Sequence, residues 1–159
     1  MGRFDKKIKL FGEVLSKGVW LYIADVKSYN ERVFLYVGKT GKKHVPEDTS
    51  PWGRLAAHLD DEEKPHNCLL YHLRSHGIPV EECVFELSCF GPDLVGDGVS
   101  EAEEHEIIEE AEAQLADRLK AAGYPVVGNH ARRPDFYTRS NLIVNKITKC
   151  LNKQYLNIL

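Results

Sequence analysis

The chain has 159 residues, 43% of them hydrophobic and 28% charged, with a formal net charge of −3. That length and apolar content suit one globular domain with a buried core, far from the disordered regime. No run of about 18 apolar residues occurs, which excludes a spanning helix; the charged opening Met1–Lys7 has no apolar signal core, and Lys6 stands where a myristoylated Gly2 would need Ser or Thr. The expectation is a cytoplasmic protein that does not enter a membrane.

Cys68, Cys83, Cys89 and Cys150 contain no C-x-x-C pair and match no zinc spacing, so they are expected to be buried, reduced thiols. The modest net charge conceals a segregation. From Ser75 to Asp117 there are 13 acidic residues and no Lys or Arg, while the remainder holds 11 acids against 21 bases. A basic face of that strength can hold a phosphate backbone. A solvated acidic helix is the plainer reading of the same block.

In chain order, residues 4–17 mix Phe4, Ile8, Leu10, Phe11, Val14 and Leu15 with lysines, and a short amphipathic helix or a strand both fit. Residues 18–26 are rich in β-branched and aromatic types and read as a first strand, with Val19, Leu21 and Ile23 on one face and Trp20 and Tyr22 on the other. A polar turn, Lys27–Arg32, leads to a second strand over 33–38, on which Phe34 and Tyr36 share a face. An antiparallel hairpin can therefore gather Trp20, Tyr22 and Tyr36, an arrangement that cross-strand aromatic packing alone would also explain.

A basic turn follows at Lys39–His44. Ser50-Pro51 then gives an N-cap and a first helical position, so residues 51–60 read as a helix carrying Arg54 and His58 at i, i+4. A second helix is expected over about 67–76, stopped by Gly77 and Pro79, and a third strand over 82–90. The Gly-rich loop 91–99 is expected to be mobile. Ser100 with Glu103 forms a capping box, opening a helix whose buried stripe is Ile108, Ala111, Leu115, Leu119 and Ala122. Val126–Asn129 is a short extended segment, and a terminal helix over about 139–156 presents Leu142, Ile143, Ile147, Cys150 and Leu151 for core packing or for dimerisation.

The order strand, strand, helix, helix, strand, helix, Asn resembles the GIY-YIG endonuclease domain over residues 17–130. Gly18-Val19-Trp20 stands where the first signature tripeptide would be and Tyr36-Val37-Gly38 where the second would be. Arg54 and His58 match the family's helix pair, and Asn129 matches the Asn after its last helix. The resemblance implies an α/β fold of the α+β type: a small three-stranded antiparallel sheet flanked by helices, with an extra C-terminal helix. Residues 1–17 are then an N-terminal extension, 18–130 the nuclease-like domain and 131–159 a tail packed on it.

The resemblance also implies a metal-binding Glu on the last helix. Glu104, Glu109, Glu110 and Glu112 compete. On a helical wheel Glu112 borders the apolar stripe, Glu109 lies on the flank, Glu110 points to the opposite side, and Glu104 comes too early. Glu112 is the choice, as ligand of a single Mg²⁺ (or Mn²⁺). Phosphodiester hydrolysis needs an activated water, stabilised phosphoryl oxygens and help for the leaving oxygen. Arg54 would brace the phosphate, Lys39 would orient the water, and Asn129 would fix the geometry. Trp20 departs from the pattern, because an indole cannot accept a proton. The base is then Tyr22, Tyr36 or His58, or the domain binds nucleic acid without cutting it. Lys42, Lys43, Arg132 and Arg133 are expected to contact DNA, with Lys146, Lys149 and Lys153 as further candidates. The expected activity is Mg²⁺-dependent endonucleolytic cleavage of DNA by a monomer or homodimer. The alternative is a catalytically impaired binding or regulatory protein on the same scaffold.

Overall fold

Leu21–Ser28 (β1) and Val33–Lys39 (β2) pair antiparallel, with Tyr22 opposite Gly38 and Ala24 opposite Tyr36. The computed structural model describes residues 9–29, 33–40, 50–59 and 68–151. Cys83–Phe90 (β3) pairs antiparallel with the other edge of β1, placing Cys89 opposite Tyr22. Val126–Val127 (β4) runs parallel to β2, and the sheet order is β3-β1-β2-β4. The expected three antiparallel strands are therefore completed by a fourth, parallel one, which gives a mixed sheet in an α+β fold. Two residues between Pro125 and Gly128 carry too little periodicity to announce a strand.

Alternation along β1 and β2 divides the core. Val19, Leu21, Ile23, Leu35 and Val37 pack under Glu101–Ala121 (α3) and Tyr137–Leu151 (α4). Tyr22, Ala24, Val26 and Tyr36 face the other way, toward Leu55 of Pro51–Leu59 (α1) and Leu69 and Leu73 of Cys68–Ser75 (α2). Ser50 caps α1 by accepting from the Gly53 N–H at 3.1 Å, and Ser100 caps α3 by accepting from the Glu103 N–H at 3.3 Å. Gly77 takes a positive φ and the Ile78 N–H returns to the Leu73 carbonyl, closing α2 as its sequence requires.

Several expectations change. The N-terminal stretch forms a 3₁₀ turn at Gly12–Leu15, and β1 begins at Leu21 rather than Gly18. The loop after β3 is tied down, since Leu94, Val95 and Val99 pack on the core. Helix α4 buries Ser140, Val144 and Thr148 along with Ile143, Ile147 and Leu151, leaving Leu142 60% exposed and Cys150 at the surface. Cys83 and Cys89 are free and partly buried, so full burial of the thiols does not hold. Among the described residues, no helix is long and apolar enough to cross a membrane.

Four of the expected stripe residues, Ile108, Ala111, Leu115 and Leu119, are among the ten that α3 buries, while Ala122 falls at its C-cap and is half-buried. Ile107, Glu110, Ala113 and Gln114 are also buried, because α4 covers a second face. Polar ties fix the contact: Ser140 Oγ donates to the Ile107 carbonyl at 2.7 Å, and Gln114 Nε2 donates to the Tyr137 carbonyl at 3.1 Å. Glu110, which the wheel turned away from the stripe, is completely buried on this second face.

Candidate active site

Strand alternation sends the Tyr22 and Tyr36 rings to the α1 side of the sheet, with centroids 6.3 Å apart. Tyr36 meets His58 of α1 edge to face at 5.2 Å, and its hydroxyl lies 3.4 Å from His58 Nε2. Both side chains are almost wholly buried. The i, i+4 spacing that put Arg54 and His58 on one face of α1 thus brings one to Tyr22 and the other to Tyr36.

The Tyr22 hydroxyl is buried and makes no hydrogen bond of ordinary geometry among the described residues. Arg54 is nevertheless close enough to favour its phenolate, and Glu112 close enough to oppose it. Burial outweighs both and holds the phenol well above its ordinary pKa, so Tyr22 stays protonated. Glu112 itself is raised from 4.5 to about 7, first by burial, against the pull of Lys39 and Arg54 and with a push from Glu109. Its side chain keeps some solvent contact, but protein atoms surround the carboxylate. Tyr22, Arg54, Glu112 and Lys39 are therefore electrostatic neighbours drawn from β1, α1, α3 and the end of β2.

Lys39 Nζ lies 3.9 Å from Glu109 Oε1, a loose pair at the rim of this cluster. Glu109 is thus part of the site's electrostatics although the wheel put it on the flank. His105, one turn earlier on α3, is buried and held below its ordinary pKa by burial and then by Lys39. The sequence reading missed His105; its i, i+4, i+7 relation to Glu109 and Glu112 is the signal that would have found it.

Trp20 is not among these neighbours. It precedes β1, its backbone N–H donates to Thr40 Oγ1 at 2.9 Å, and its Nε1 donates to the Ser16 carbonyl at 3.2 Å. Its ring lies over Gly91, where a Cβ would come within 3.0 Å of it. Gly18 (φ +151°) is pressed against Pro92, with 2.5 Å left for a Cβ. The tripeptide Gly18-Val19-Trp20 therefore anchors the loop after β3. The first-strand phenol of the site is Tyr22.

Asn129 follows β4 in the loop beside Tyr36; its side chain is exposed and makes no hydrogen bond among the described residues. The adjacent His130, missed in the sequence, donates from Nε2 to the Val37 carbonyl at 3.0 Å. Arg132 and Arg133 lie along α3 and stay partly exposed, pairing with Glu110 and Asp117 and with Glu106 and Glu109 respectively. Lys42, Lys43 and Lys153 lie outside the described residues, while Lys146 and Lys149 are exposed on α4.

Among the described residues, no three His, Cys, Asp or Glu side chains converge as a metal cage. The donor set at Glu112 suits a hard cation such as Mg²⁺, which takes one or two carboxylates and completes its shell with water and substrate phosphate. A separate groove of about 560 Å³ is lined mainly by apolar residues, Phe11, Trp52, Leu59, Phe85 and Leu87 among them, with Lys9 and Glu86 also at its wall. Compared with protein-family models, with curated proteins and with solved structures, the chain matches none.

Proposed function

We propose that this protein is a Mg²⁺-dependent endonuclease of the GIY-YIG type acting on DNA. The observation that carries the reading is the electrostatic proximity of Tyr22 to Arg54 and Glu112, and of Glu112 to Lys39. A protonated phenol, a guanidinium, an ammonium and a carboxylate are what phosphodiester hydrolysis requires if a cation sits on the carboxylate.

Each side chain then has a role set by its surroundings. Arg54 holds non-bridging phosphate oxygens, with the buried, neutral Tyr22 phenol as its neighbour behind the site. Water activation falls to Tyr36 and His58, the pair within hydrogen-bonding reach of each other. Lys39, loosely held by Glu109, is placed to turn toward the attacking water. Glu112 would hold the Mg²⁺, which when bound supplies Lewis acidity at the leaving oxygen.

The alternative of a scaffold that binds without cutting drew its force from Trp20. Tyr22 beside Arg54 supports the active reading, because it offers a phenol to the site while Trp20 packs against Gly91. Supercoiled plasmid incubated with Mg²⁺ separates the two. Nicking by wild type and none by Glu112→Ala supports the nuclease. Equal inactivity with retained, salt-sensitive DNA binding overturns it in favour of a binding protein.

A further inference from the structure

The segment joining β4 to α4 is fastened at both ends. At one end Gly128 lies against Tyr36, where a Cβ would stand 3.3 Å from ring carbon Cε2, and His130 reaches across to the Val37 carbonyl of β2. At the other end the Arg133 backbone N–H and Arg132 Nη2, the latter at 3.1 Å, both meet the carboxylate of Glu110. Gln114 Nε2 adds a third donor at 3.1 Å. Glu110 is completely buried, so these are the groups that compensate its charge.

Both arginine side chains stay over two-fifths exposed, and each is held by further carboxylates of α3. Arg132 Nη1 bonds Asp117 Oδ2 at 2.9 Å, while Arg133 Nε spans Glu106 and, at 2.8 Å, Glu109. A phosphate that drew either guanidinium away from α3 would strip carboxylates of their partners, one of them the buried Glu110. Leaving a buried carboxylate uncompensated is strongly unfavourable. The positive charge of Arg132 and Arg133 is therefore offset by four carboxylates of α3, Glu106, Glu109, Glu110 and Asp117.

We propose that Arg132 and Arg133 form with Glu110 an internal clamp that positions residues 128–130 against Tyr36, and do not contact nucleic-acid phosphate. They are positioning residues, since neither touches a reacting atom. That the clamp serves catalysis rests on the nuclease reading; the clamp itself does not.

Arg132→Ala and Arg132→Lys in the full chain test it by two measurements: amide hydrogen exchange, and the salt dependence of binding to a duplex oligonucleotide. The expected result is exchange at residues 128–133 faster by tenfold or more in Arg132→Ala, with β1 and α1 unchanged and partial restoration in Arg132→Lys. The salt slope should equal that of wild type, and kcat should fall with KM unchanged. Unchanged exchange at 128–133, or a salt slope reduced by about one phosphate contact, overturns the clamp. If wild type binds no DNA, the nuclease reading fails, and hydrogen exchange still decides the clamp. If Arg132→Ala does not fold, Arg132→Lys, which keeps the charge but loses the forked donor, decides the same question.

Discussion

The Tyr22 ring covers Gly38 so closely that a Cβ at position 38 would stand 2.4 Å from the Tyr22 hydroxyl oxygen. The two residues face each other across the β1–β2 pair, and the glycine makes room for a phenol lying flat on the neighbouring strand. Gly38→Ala should therefore displace the Tyr22 hydroxyl, destabilising the fold by about 1–3 kcal/mol and slowing cleavage by about 10²-fold. In a Tyr22→Leu background the same substitution should cost much less, because the clash is with the ring. Equal costs in the two backgrounds, read from denaturant unfolding, would contradict the contact.

Trp20→Tyr should not increase activity, although it restores the signature residue at that position. The ring lies over Gly91 with its Nε1 on the Ser16 carbonyl. Trp20→Phe, which removes that hydrogen bond, should lower stability by about 1 kcal/mol and leave the cleavage rate within about twofold of wild type. A tenfold gain from Trp20→Tyr would put the base at position 20 after all.

The two phenols should separate in their pH dependence. Tyr22 is held protonated by burial, so Tyr22→Phe should lower kcat at every pH without moving the pH–rate profile. Tyr36→Phe and His58→Ala should change the shape of the alkaline-rising limb, since they remove the proton acceptor. A profile displaced by Tyr22→Phe and untouched by the other two would reverse the assignment.

Glu112 links the site to stability. Its folded pKa, about 7, lies above the ordinary 4.5, so ionisation is less favourable in the folded chain. The penalty is absent below about pH 4.5, grows between there and pH 7, and is complete above. Without divalent ions, Glu112→Gln should be more stable than wild type at pH 8 by at most about 2–3 kcal/mol, and no more stable at pH 4.5. Mg²⁺ should raise the Tm of wild type at pH 8 and leave Glu112→Gln unmoved. A pH-independent difference between the proteins would refute the shift.

Much of the scaffold was legible because local chemistry dictates it. Ser50-Pro51 fixed the start of α1, Ser100 with Glu103 that of α3, and Gly77 the end of α2. The pairing of Arg54 with one phenol and His58 with the other follows from helical spacing once the hairpin exists. Register was not legible. Alternation put Trp20 and Tyr22 on one face, but only the strand partners decide that Tyr22 faces Gly38 while Trp20 packs against Gly91. Nor was the burial of Glu110, because one amphipathic stripe describes a helix with one neighbour, and α3 has the sheet on one side and α4 on the other. The pairing of Arg132 and Arg133 with carboxylates of α3 was hidden for the same reason.

The short β4 strand has a kinetic meaning. Leu35 finds its partner Val126, and Tyr36 its partner Val127, roughly 90 residues further along the chain. Contacts so distant in sequence form only after a long loop has closed, and they slow folding. Before that closure β2 presents an open edge able to pair with strands of other molecules. Tyr36 stands on that join, so the step that seats it beside the 128–130 loop also seals the exposed edge. Completion of the site and protection from aggregation arrive together.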